Sequence, residues 1–276
     1  MWRAYLTGAR VAVARWPLIT ALWLFGLAFG VAFGLASAAW LAAALDGSLA
    51  TRTLLHHLDA QVLIDLWVHH REGLRVLLLL AAVLAVAHTA LWWWLDGVVV
   101  AAVAPSPESP WRRGTALVPV MAALFGLALF VWLAWSAAVV GVAWALVRAT
   151  RESPAAHVWE AIGAGALGLW LGGTAWLIAV HDHARLRAGL SGAGALAAYR
   201  WGLAFVAAGG ERAFLLALAL QASGLALWAV YQLIGFALPL TELIGLTGSL
   251  IWGQLFLWLR TGVRLWSLAA QRQLHS

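Results

Sequence analysis

The chain contains no cysteine and no lysine, and only 10% of its 276 residues are charged, where a soluble domain carries roughly a quarter. The lack of cysteine excludes a disulfide, a thiolate nucleophile and a zinc–thiolate site, and it leaves the compartment unmarked by redox chemistry. Without lysine, all 17 basic residues are arginine, which together with abundant Ala, Gly and Leu points to a GC-rich bacterial genome.

What fills the chain is apolar: 64% of the residues are hydrophobic, more than a water-soluble core of this length could hide. They gather into runs free of Asp, Glu, Lys and Arg, which predict six spans near 16–45, 76–103, 114–147, 161–188, 213–238 and 243–268. About 20 helical residues cross a bilayer core. The last run is the shortest and completes its crossing with flanking polar residues. Backbone groups in lipid must bond within their own segment or within a closed barrel, and continuous rather than alternating apolar runs select helices. The expected fold is an all-α polytopic transmembrane helix bundle of about six spans with short amphipathic interfacial helices. No connection is long enough for a globular domain, so 1–276 reads as a single integral membrane domain. The first run starts at Trp16 and is much longer than a signal-peptide core, which argues against a cleaved leader.

Six crossings place the N-terminus, 104–113, 181–212 and the C-terminus on one side with twelve arginines, against five on the other. The positive-inside rule then expects both termini in the cytoplasm of a bacterial inner membrane, with 46–75 and 148–160 outside. The net charge of +6 follows from topology and anionic lipid, and nothing basic is interleaved with aromatics as in a nucleic-acid module. Of the 20 tryptophans, those at Trp16, Trp40, Trp92 to Trp94, Trp111, Trp159 and Trp201 read as interfacial anchors.

Residues 2–15 read as a short juxtamembrane helix, and Pro17 can start the span that follows. Residues 198–212 have a similar form, with Ala198, Tyr199 and Gly202 matching Ala4, Tyr5 and Gly8. Chance and an ancient duplication both account for these three matches. Residues 56–70 space their apolar side chains as a helix lying on the outer surface. Gly26, Gly30 and Gly34 share one face of the first span, and with Gly163, Gly165, Gly168, Gly172 and Gly173 they predict close helix contacts.

The outer segment holds His56, His57, His69, His70, Asp59 and Asp65, but adjacent histidines diverge by about 100° on a helix, so tight metal binding is not expected there. Within the spans, His88 and Asp96 are candidates for a structural role or for a proton or substrate path, since charge in a bilayer is costly. The fourth span ends in HDHARLR. His181 and His183 point about 200° apart, which argues against a two-histidine metal site. Asp182 at the end of an apolar helix calls for a cationic partner, with Arg185, Arg260 and Arg264 as the candidates. Arg260 and Arg264 lie four residues apart on one face. No zinc-protease, nucleophile-elbow or P-loop motif is present.

The DHAR segment resembles the D-x-A-R segment of a family of six-span bacterial membrane proteins, similar in layout to the membrane domain attached to some glycerophosphodiester phosphodiesterases. The LDG after the second span and the stretch QLFLWLRTGVR, Gln254 to Arg264, resemble other parts of that pattern. The resemblance implies a six-helix fold and no catalysis. The expected function is therefore a non-enzymatic scaffold or subunit of a membrane complex, with transporter or lipid-handling protein as the alternative. No cofactor is expected; the expected partners are membrane lipids and a protein partner in the membrane, not nucleic acid.

Overall fold

The computed structural model of the chain describes residues 1–44, 64, 67–104, 108–150, 156–237 and 243–275. The fold is all-α, with no strand among the described residues. In chain order the helices are α1 (Trp2–Ala14), α2 (Trp16–Ala44), α3 (Arg71–Val103), α4 (Pro110–Ala149), α5 (Ala156–Ser191), α6 (Ala195–Ala208), α7 (Gly210–Ala237) and α8 (Leu243–Arg272). Proline starts two of them: Pro110 opens α4, and Pro17 occupies the first turn of α2, where a missing N–H costs nothing. The expected surface helix over 56–70 lies largely outside the described residues.

Five helices are long and apolar enough to cross a membrane: Trp16–Ala44, Arg71–Val103, Pro110–Ala149, His157–Ser191 and Glu211–Ala237. Their apolar side chains face outward, as Leu78, Leu79, Val83 and Val86 do on α3. In water that exposure would be unfavourable along a whole helix, so the surround that fits it is lipid. The chain is a multi-pass membrane protein. The expected count of six spans is corrected to five among the described residues. The sixth segment does form α8, which is 30 residues long, but it is not among the five helices that are long and apolar enough to cross.

The chain divides into two compact units. Unit 1 comprises Met1–Ala14, Trp93–Gly224 and Val263–Ser276, and unit 2 comprises Arg15–Trp92 and Leu225–Gly262. Within unit 1, α5 packs along α4 and against α6. The turn from α5 to α6 needs Gly192, whose φ of 68° lies in the left-handed region and whose N–H bonds the Ala188 carbonyl at 2.9 Å; a side chain there would be strained. Arg113 donates to the Gly189 carbonyl, satisfying part of the same helix end. Unit 2 is tied by indole N–H groups. Trp23 donates to Gln254 at 3.2 Å, Trp258 to Thr20 at 3.0 Å and Trp252 to the Tyr231 carbonyl at 3.1 Å.

The glycines divide sharply. A Cβ placed on Gly26, Gly30, Gly34, Gly163, Gly165, Gly168 or Gly172 would meet nothing within 4 Å, so the close contacts expected of these positions are not made among the described residues. Gly173 alone of that group packs, against the ring of Trp135. Backbone-to-backbone approach occurs elsewhere. A Cβ on Gly97 would stand 2.6 Å from the Gly114 carbonyl oxygen, one on Gly202 2.6 Å from that of Val180, and one on Gly8 2.6 Å from the Ala270 nitrogen.

Candidate functional site: a buried arginine–carboxylate cluster

Those three close approaches surround one group of charges in unit 1. Asp96 precedes Gly97 near the end of α3. Asp182 and Arg185 share a face of α5 at a spacing of three, just after the Val180 that receives Gly202. On α8, Arg264, Ser267 and Gln271 form a stripe at spacings of three and four, next to the Ala270 that receives Gly8. Small residues let the backbones approach, and their approach brings polar side chains from three helices into contact.

Arg185 is the hub. It is 7% exposed and Asp182 4%, so neither charge can rely on water. One guanidinium nitrogen of Arg185 donates to Asp96 Oδ1 at 2.9 Å and the other to Asp182 Oδ1. The planar fork of arginine suits this bridge between two carboxylates, which a lysine could make only as a point charge. Arg264 donates to the same Oδ1 of Asp96. The second oxygen of Asp182 accepts from Gln271 Nε2 at 2.8 Å and from Ser267 Oγ at 3.4 Å, and Gln271 also donates to Ser267 Oγ at 3.2 Å. Two carboxylates face two guanidiniums, so the cluster is formally neutral. Arg185 Nε and Gln271 Oε1 are buried without a partner among the described residues.

Next to Asp182 on α5, His183 is fully buried and its Nδ1 lies 2.8 Å from Nε2 of His275, so one ring donates and the other accepts. His275 stacks on Phe205 at 5.1 Å and lies 5.0 Å from Trp201, while Arg187 covers the Trp201 ring at 5.2 Å. Burial, with Arg187 adding to it, pushes the His275 imidazole down to about 4.

The sequence-predicted residues thus separate. Asp96, Asp182, Arg185 and Arg264 come together. Arg260 belongs to unit 2 and is exposed. His88, also in unit 2, sits edge-on to Phe29 at 5.2 Å and stacks on Trp92 at 5.8 Å. Its Nδ1 is buried without a hydrogen-bond partner among the described residues. Gln254 makes an interhelical bond to Trp23, and Gln221 reaches the Ala175 carbonyl only at 3.5 Å. His56, His57, Asp59 and Asp65 lie outside the described residues, among which no group of three or more His, Asp or Glu could hold a metal. Gln271, Ser267 and the His183–His275 pair were not singled out from the sequence. The spacing of Arg264, Ser267 and Gln271 was the signal that could have found the first two. No family model, curated protein or solved structure matches the chain.

Proposed function

We propose that this protein is a non-enzymatic scaffold or subunit of a membrane complex, in a bacterial inner membrane with both termini in the cytoplasm. The observation that carries this reading is the closure of the charge cluster: Asp96, Asp182, Arg185 and Arg264 spend their charges on one another. A group committed to holding three helices together is a structural tie, whereas a catalytic or transport site keeps a polar face open to its substrate. The arginine-rich segments share the side of the termini, and α1 meets the end of α8 through Tyr5 and Trp266, 4.5 Å apart.

Purification of the intact chain in mild detergent, followed by identification of co-purifying proteins, tests the reading. A stoichiometric membrane-protein partner is the expected result. Solute uptake by the chain alone in proteoliposomes, lost in Asp96→Asn without loss of stability, would replace the scaffold with a transporter.

A further inference from the structure

We propose that α1 and α6 are paired interfacial helices that bind the phosphates of anionic phospholipids. The proposal rests on the membrane class of the protein and holds whether or not the chain serves as a scaffold. Helix α1 is pinned to the bundle by one narrow face, Ala4, Gly8 and Ala12, all buried. The opposite face carries Trp2, Leu6 and Val13, which are 64%, 57% and 73% exposed. At 100° per residue these three lie within one stripe, and the exposed Arg3 and Arg10 border it on one side.

Helix α6 repeats the inward face in the same register. Ala198 and Gly202, the counterparts of Ala4 and Gly8, face inward and are buried. Leu196 and Leu203 are exposed in one stripe, with the exposed Arg200 beside it. The resemblance of the two segments is therefore a shared way of packing, a small face against another helix; both also expose apolar side chains and arginine, although Arg3 and Arg10 correspond to Ala197 and Ala204 and Arg200 to Leu6. Helix α1 meets the last turn of α8 through Gly8 on Ala270, and α6 meets His275, three residues beyond α8, through Phe205.

A short helix with an outward apolar stripe and bordering arginines fits the boundary between acyl chains and headgroups, where Trp and Leu sit in the apolar layer and guanidinium groups meet phosphate. Arginine holds a phosphate through two N–H groups, and its charge favours a headgroup with net negative charge over a zwitterionic one. Helices fixed to the bundle are ordered before lipid arrives, so binding spends little on their ordering.

The test uses the full-length protein in neutral detergent, with retained lipid measured by native mass spectrometry in competition between phosphatidylglycerol and phosphatidylcholine. The wild type is expected to retain phosphatidylglycerol preferentially. Arg3→Gln with Arg10→Gln is expected to lower that preference by about fivefold per arginine, the scale for a basic group at an anionic surface. Arg3→Lys with Arg10→Lys is expected to keep most of it. Arg148→Gln, at an exposed arginine on another helix, is expected to leave it unchanged. All these positions are exposed, so size-exclusion profiles should match the wild type. Equal retention of the two lipids by the wild type would overturn the proposal, as would an unchanged preference in the double glutamine variant. Displacement of phosphatidylglycerol by inorganic phosphate at matched ionic strength would also overturn it, since that would mark a site for free anions. Occupation of α1 by a co-purified protein in place of lipid would do the same.

Discussion

The inner part of unit 1 and the helices of unit 2 solve the same problem in different ways. In unit 1, glycines at Gly8, Gly97 and Gly202 let backbones touch, and four charges with Ser267 and Gln271 connect α3, α5 and α8. In unit 2, Gly26, Gly30 and Gly34 meet no neighbour among the described residues, and neutral indole hydrogen bonds tie its helices. Lipid tails are as apolar as leucine, so burying apolar surface does little to choose one helix arrangement over another. A buried charge that is satisfied in one arrangement alone makes that choice sharply, because every other arrangement strands it.

The largest expected effect breaks the hub. Arg185→Gln leaves Asp96 and Asp182 buried without their shared cation and is expected to cost about 3–5 kcal/mol of stability, read as a large fall in Tm in mild detergent. His88→Leu in unit 2 removes no ion pair and is expected to leave Tm close to the wild type.

Next come the glycines. Gly202→Val places a side chain against the Val180 carbonyl and is expected to cost about 1–3 kcal/mol, the usual range for overpacking. The same change at Gly30, where a side chain meets open space, is expected to leave the purified chain as stable as before. If α2 docks a protein partner through this face, Gly30→Val will nevertheless lose that partner in co-purification.

A smaller effect follows from His275. Its folded pKa of about 4 lies below the ordinary value of 6.5, so the unfolded chain takes up the proton first as pH falls. The stability tied to the neutral ring is present above about 6.5 and is lost between there and about 4. Melting temperatures measured across that window are expected to fall in the wild type and to fall less in His275→Phe, which keeps the stacking on Phe205. The smallest effect is expected of Arg260→Gln, an exposed position where substitutions usually stay within about 0.5 kcal/mol.

Much of this was legible in the sequence, for a physical reason: a bilayer filters composition, so apolar runs announce their helices and an ionisable residue inside one stands out. Asp96, Asp182, Arg185 and Arg264 were found that way. For Asp182 the candidate Arg185 is the partner; the partners of Asp96 were not legible, because Arg260 and Arg264 share a helix face, and only the meeting of three helices puts Arg264 on Asp96 and leaves Arg260 exposed. The glycine stripe on α2 meets no helix among the described residues, since spacing shows which residues share a face and not whether another helix reaches it. The shortest apolar run suggested a crossing, whereas the polar residues of α8 serve the charge cluster. The motif shared by α1 and α6 was visible as letters, but its meaning lay in the neighbouring helices that receive Gly8 and Gly202.

The most direct measurement is a double-mutant cycle between Asp96 and Arg185, on α3 and α5, with unfolding followed in mild detergent. If the cluster is a structural tie, Asp96→Asn and Arg185→Gln each destabilise. The double variant then costs less than the two single changes added together, by roughly 0.5–3 kcal/mol. Strictly additive costs, or an Asp96→Asn protein of wild-type stability that has lost a measurable transport activity, would contradict it.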